Sequence, residues 1–90
     1  MEWTKESMIE VLTEKARESV KNGINEIDTI GQNPNKQKIT HIINAEYHLA
    51  QYHAYMNLLE ELDMNKFVEL ADETETARDR ILEFVDQLYK

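Results

Sequence analysis

The feature that most limits the fold of this chain is a run of apolar and small residues spaced alternately three and four apart. The run is unbroken from residue 67 to residue 88, and its average spacing of 3.5 residues places all members on one side of an α-helix. Asp72, Asp79 and Asp86 fall at the outward position, where solvent is expected. The members are Phe67, Leu70, Thr74, Ala77, Ile81, Phe84 and Leu88.

A similar pattern near the N-terminus predicts another amphipathic helix. Thr4 is a suitable N-cap, and Trp3 and Met8 hold the two positions of a hydrophobic staple. Gly23 interrupts the apolar series, so the helix either ends early there or uses the glycine to bring two backbones close together. The series is Ile9, Leu12, Ala16, Val20, Gly23, Ile27 and Ile30.

Turn-forming residues are scarce, with two glycines and one proline in 90 residues. The clear linker is GQNPNKQ at 31–37, where Asn33 and Pro34 resemble an N-cap followed by a proline at the first helical position. Asp63 is a plausible N-cap for the third helix. The sequence therefore predicts one all-α domain over residues 1–90. Its three long helices, about 5–29, 34–62 and 64–89, form an antiparallel up-down-up bundle.

The second helix carries more apolar surface than one face of an ordinary amphipathic helix needs. One stripe with three-four spacing contains Ile42, Ala45, Leu49, Tyr52, Met56 and Leu59. A second apolar set, well round the helix from the first, contains Ile43, Tyr47, Ala54, Leu58 and Leu62. We expect the two neighbouring helices to cover much of this surface but not all of it.

A mixed polar and aromatic strip remains on the second helix, formed by Asn44, His48, Gln51 and Tyr55. Aromatic residues without charge are typical of subunit interfaces, although a solvent-lined groove would have the same composition. We favour the interface and predict a homodimer formed through the second helix. The candidate partner-binding residues here are Tyr47, His48, Gln51 and Tyr55.

The three histidines of the chain also lie on the second helix, but their spacing does not suit a metal site. His41, His48 and His53 are seven and five residues apart, whereas two ligands on one helix bind best at three or four. His53 lies on the polar side, as a phosphotransfer histidine would. No lysine or arginine lies within a helical turn of it to stabilise a phosphoryl group. We predict no catalytic residue, no metal ligand and no cofactor.

Carboxylates recur every four residues in the first segment, at Glu2, Glu6, Glu10, Glu14 and Glu18, and we name the last three the acidic ladder. Like charges at this spacing are mildly destabilising, which suggests a binding role, although a solvated face is the ordinary explanation. Arg17 and Lys21 follow Glu14 and Glu18 at the favourable distance of three. A rival acidic cluster opens the third helix with Glu69, Asp72, Glu73 and Glu75.

A net charge of −8 disfavours nucleic acid and anionic membranes, and suits a basic protein partner. No stretch approaches the ~20 apolar residues of a membrane span, and the absence of cysteine fits a cytoplasmic setting. The favoured function is that of a non-enzymatic regulatory or inhibitor protein acting through helix faces, such as an immunity, antitoxin or phage-modulator protein. The alternative is a histidine phosphotransfer or metal-dependent helical enzyme module.

Overall fold

The computed structural model of the chain describes residues 2–32 and 38–86, which form three packed α-helices and no strand. Helix α1 spans Lys5–Gln32, α2 spans Lys38–Leu62 and α3 spans Met64–Asp86. The predicted all-α bundle is confirmed. The predicted beginning of the second helix at residue 34 and end of the third at residue 89 lie outside the described residues.

Pairs of side chains between helices show the direction in which each helix runs. Arg17 of α1 bonds to Glu73 of α3, and Asp28 of α1 bonds to Arg80 of α3. Residue numbers therefore rise in the same direction along these two helices. Only Asp63 separates α2 from α3, so α2 runs opposite to both. The result is the predicted up-down-up arrangement. Its extents of 47 × 26 × 19 Å give the bundle an elongated shape.

Side-chain caps determine where two of the helices begin. The Thr4 hydroxyl accepts a hydrogen bond from the Ser7 backbone N–H at 3.1 Å, and the Ser7 hydroxyl accepts one from the Thr4 N–H at 3.0 Å. Asp63 accepts from the Lys66 N–H at 3.1 Å while its own N–H donates to the Leu59 carbonyl. One residue therefore ends α2 and begins α3, because it satisfies backbone groups of both helices.

The core lies along the predicted stripe of α2, and every member of that stripe is buried. From α1 the buried apolar residues are Ala16, Val20 and Ile27. From α3 they are Leu70, Ile81 and Val85, together with Thr74. Val85 was not among the predicted core residues of α3, whereas Phe67, Ala77 and Phe84 of the predicted set are only half-buried and Leu88 lies outside the described residues.

Gly23 does not end α1, which continues unbroken to Gln32. A methyl group added at Gly23 would lie 2.7 Å from Cδ1 of Ile81 on α3 and 3.7 Å from Cβ of His48 on α2. The glycine thus lies where α1 is in close contact with both α2 and α3. Of the two expectations for this residue, close approach is correct and early termination is wrong.

Candidate interaction surface

A second apolar face runs along α2 on the side turned away from the core stripe. Its residues follow one another at steps of three or four, and each of its four large side chains exposes more than half of its surface. We name this set the outer face of α2. It consists of Ile39, Ile43, Tyr47, Ala50, Ala54 and Leu58.

The outer face has almost no charge. Apart from three histidines, Glu46 is the only ionisable acidic or basic side chain between residues 39 and 59 that is not a tyrosine, and it lies at the edge of the face, half-buried. A bundle helix that faces solvent ordinarily presents polar residues there, and a contiguous exposed apolar patch usually marks an interaction site. α2 is therefore apolar on two opposite sides, of which the described structure covers one.

The packing of α1 corrects the expectation about which residues of α2 remain uncovered. Because Gly23 allows α1 to come close to His48, α1 covers the side of α2 that carries His48. His48, Gln51 and Tyr55 are half-buried, Tyr55 packs against the core, and Asn44 is the member of the predicted strip that is exposed. Most of the second apolar set, which we expected the neighbouring helices to cover in part, is exposed instead.

Three of the four predicted partner-binding residues on α2 form one hydrogen-bonded chain. The Gln51 amide nitrogen donates to the Tyr47 hydroxyl at 3.2 Å, and the Gln51 amide oxygen accepts from Nδ1 of His48 at 3.2 Å. The rings of Tyr47 and His48 also meet edge-on, with centroids 5.6 Å apart. These contacts restrain the exposed Tyr47 ring. Tyr55 does not belong to this chain.

A shallow apolar groove adjoins the outer face where the N-terminal part of α1 meets the C-terminal end of α2. Leu58 belongs to both surfaces, and Trp3, which exposes 60% of its surface, stands at the groove. We name it the N-terminal groove. Its lining residues are Trp3, Met8, Val11, Leu12, Leu58, Glu61 and Leu62.

All three residues of the acidic ladder are exposed, but the ion pairs around them differ from those predicted. Arg17 bonds to Glu73 of α3 at 2.7 and 2.9 Å rather than to Glu14, and this bond lowers the pKa of Glu73. Glu18 lies 3.8 Å from Lys15, not beside Lys21. Arg17 therefore pairs with α3 and not with the ladder, although it lines the same hollow as Glu10 and Glu14.

The three histidines occupy separate environments. Nδ1 of His41 lies 2.6 Å from a carboxylate oxygen of Glu26, and His48 belongs to the Tyr47 chain. His53 is exposed, and partial burial of its ring together with the nearby charge of Arg78 lowers its pKa. Within residues 2–32 and 38–86 no group of three or more acidic or histidine side chains is placed to hold a metal ion.

Arg78 is the feature near His53 that the sequence did not reveal. It lies 25 positions further along the chain, and only the packing of α3 beside α2 brings its charge close to the imidazole. None of the described helices combines the length and apolar content needed to cross a bilayer. No protein-family model, no curated protein and no solved structure matches this chain.

Proposed function

We propose that the protein is a small, acidic, non-enzymatic regulatory or inhibitor protein that works by binding other proteins through its helix faces. The observation that carries this proposal is the exposed outer face of α2. It is long, apolar and almost free of charge, and it displays an aromatic side chain that a hydrogen bond restrains. A preorganised aromatic residue loses little entropy on binding and is a frequent anchor of protein interfaces.

Two binding surfaces with different chemistry support two kinds of partner. The outer face of α2 suits self-association into a homodimer, because two copies with a net charge of −8 meet most favourably through an uncharged strip. The acidic ladder suits a basic site on a second protein. Carboxylates in the first turns of a helix are stabilised by the positive end of the helix dipole, but Glu14 and Glu18 lie too far into α1 for that interaction.

Charge reversal tests the ladder as a binding surface. Once a partner has been captured from the native host and purified, Glu10→Lys, Glu14→Lys and Glu18→Lys together should slow its association about tenfold or more at low salt. The matched control reverses Glu69, Asp72 and Glu75 on α3, which changes the net charge by the same amount. Equal slowing by both triple variants would mean that only net charge matters, and unchanged association would remove the ladder from the proposal.

A histidine phosphotransfer module is the second candidate, and the charge of Arg78, which lowers the pKa of the exposed His53, favours it. A phosphoryl group on His53 needs positive charge in its surroundings, and Arg78, which also bonds to Asp79, is the cation that supplies it. Incubation with phosphoramidate, followed by ³¹P NMR, tests this candidate. A phosphohistidine signal that His53→Ala abolishes and His48→Ala preserves supports phosphotransfer; no signal above that of free imidazole contradicts it.

Metal titration tests the enzyme alternative that depends on a cation. An ion that binds only the native protein stabilises it by RT ln(1 + [L]/Kd), so the melting temperature rises with the logarithm of the ion excess over the dissociation constant. Under the interaction proposal we expect no stabilisation by Mg²⁺, Mn²⁺ or Zn²⁺ in a thermal melt. A concentration-dependent rise with one of these ions, reversed by a chelator, would support the metal-dependent alternative.

A further inference from the structure

We infer that the outer face of α2 pairs with the same face of a second copy in one antiparallel register, about a two-fold axis that passes between residues 48 and 49. This inference rests on the proposed self-association and adds its geometry. It commits the face to a single occupant, another molecule of this chain, and states which residues meet across the interface.

The register follows from the positions of the six residues of the outer face. When two copies of a helix pair antiparallel about a two-fold axis, a residue meets the one that lies at an equal distance on the other side of the midpoint. The outer face consists of three such pairs: Ile39 with Leu58, Ile43 with Ala54, and Tyr47 with Ala50. All six residues therefore find a partner within the same set. The face is complementary to itself.

Side-chain size agrees with this register. In the two central layers a bulky residue of one copy meets an alanine of the other, Tyr47 against Ala50 and Ile43 against Ala54. Packed helices lie about 8–10 Å apart, and pairing large with small side chains lets them approach to that distance without overlap. Two large residues, Ile39 and Leu58, meet only at the ends. A parallel pairing would set Tyr47 against Tyr47 and Ala50 against Ala50.

In this register the beginning of α2 in the second copy reaches the N-terminal groove of the first. Leu58 lines both the groove and the outer face, so the Ile39 side chain of the second copy arrives next to Trp3 and Val11. Ile39 exposes 63% of its surface in the single copy and would lose much of that exposure here. The antiparallel register thus covers two apolar surfaces that the described structure leaves open.

Area and charge also favour a second copy. The outer face is about 29 Å long at 1.5 Å per residue. Seven large side chains of the face and the groove are 37–63% exposed. At roughly 200 Å² for a fully exposed large side chain they offer about 700 Å² per subunit, which brings a two-fold interface to the lower end of the 1,200–2,000 Å² buried by stable complexes. Glu10 and Glu14 of the acidic ladder line a separate hollow between α1 and α3, with Arg17 and Lys66, and do not line the N-terminal groove. Two acidic molecules can therefore associate without setting ladder against ladder.

Disulfide trapping reads the register directly, because the native chain has no cysteine. Ile43→Cys and Ala54→Cys are made as separate variants of the full chain, mixed and oxidised, and the products are distinguished by mass. We expect the mixed Ile43→Cys/Ala54→Cys disulfide to exceed either symmetric product by about tenfold, since only that pair lies within disulfide reach. The matched control replaces Ile43→Cys with Glu75→Cys from α3, which should trap only at the background rate.

Exchanging a large and a small residue gives a second readout that does not need oxidation. Tyr47→Ala and Ala50→Tyr should each weaken the dimer about tenfold in sedimentation equilibrium, and the double variant should recover most of the loss. Both positions are exposed in the single copy, so circular dichroism should show an unchanged helical fold. No recovery in the double variant would overturn the register.

The outcomes separate this inference from the proposal beneath it. A dimer that traps Ile43→Cys with itself has a parallel register, which overturns the inference and leaves self-association intact. A 10.6 kDa monomer at tens of micromolar in sedimentation equilibrium overturns both the register and self-association. Binding of a basic partner through the acidic ladder is measured separately by association rates, and neither result affects it.

Discussion

At the scale of single residues, Tyr52 and Thr74 share a buried hydrogen bond, and replacing Thr74 should cost more free energy of unfolding than replacing Tyr52. The Thr74 hydroxyl donates to the Leu70 carbonyl at 2.8 Å, so its oxygen accepts the Tyr52 hydroxyl at 2.6 Å. Thr74→Val leaves the tyrosine hydroxyl buried without an acceptor, which costs about 1–3 kcal/mol. Tyr52→Phe leaves Thr74 bonded to Leu70 and should cost less.

Urea denaturation of the two single variants and the double variant measures this asymmetry. Adding Tyr52→Phe to Thr74→Val should restore part of the lost free energy of unfolding, because the unsatisfied hydroxyl is then absent. Equal losses in the two single variants, with simple additivity in the double variant, would contradict this account of the donors and acceptors.

Gly23 is the other residue whose replacement has a defined consequence. Gly23→Ala gains about 1 kcal/mol of helix propensity, but its methyl group overlaps Cδ1 of Ile81, which is fully buried and has little room to move. We expect a net loss of about 1 kcal/mol from the free energy of unfolding.

Shortening the neighbouring side chain tests this explanation. Ile81→Val removes the Cδ1 methyl, so in that background Gly23→Ala should become neutral or stabilising by up to about 1 kcal/mol. The comparison is a double-mutant cycle followed by urea denaturation. If Gly23→Ala has the same effect in both backgrounds, the contact with Ile81 is not what requires glycine.

At the scale of helices, the Arg17–Glu73 pair connects α1 to α3 and makes part of the stability depend on pH. The hydrogen bond from Arg17 lowers the pKa of Glu73 below its ordinary value of 4.5. The stabilisation is therefore fully present above that pH and is lost as pH falls through the lower pKa of the folded state. Both side chains are about half exposed, so the contribution is below about 1 kcal/mol.

Glu73→Gln isolates this contribution. The difference in free energy of unfolding between the native chain and the variant should be largest near neutral pH and should disappear well below pH 4.5. Glu75→Gln, which removes a neighbouring exposed carboxylate of α3, is the matched control. A difference that stays constant through acid pH would assign the loss to packing and not to charge.

At the scale of the whole molecule, the two proposed interactions should respond to salt in opposite directions. Two copies with a net charge of −8 repel each other, so added salt should strengthen the homodimer by screening that repulsion. Binding of the acidic ladder to a basic partner is an attraction, and salt should weaken it.

Sedimentation equilibrium and association kinetics at about 0.05 M and 0.5 M salt measure the two responses separately. Ile43→Lys, which places a charge on the outer face of α2, should abolish the dimer at both salt concentrations. Weakening of both interactions by salt would mean that self-association uses paired opposite charges, against the apolar contact proposed here.

The sequence by itself determined the helical class, the antiparallel order and the core stripe of α2. Three-four spacing and caps such as Thr4 and Asp63 act within a few residues of the chain, so they can be recognised without a tertiary structure. The same local information showed that α2 carries two apolar sets. Periodicity along one helix does not state which set its neighbours will cover.

Only the tertiary structure decided which apolar set of α2 is covered, because the answer depends on distances between helices. Gly23 brings α1 against the His48 side of α2, which half-buries His48 and leaves Tyr47 exposed. Glu73, which bonds to Arg17, and Arg78, whose charge lowers the pKa of His53, likewise lie on α3, more than 20 positions away in the chain. Contacts between distant segments follow from how three surfaces fit together, and no single helix pattern contains that fit.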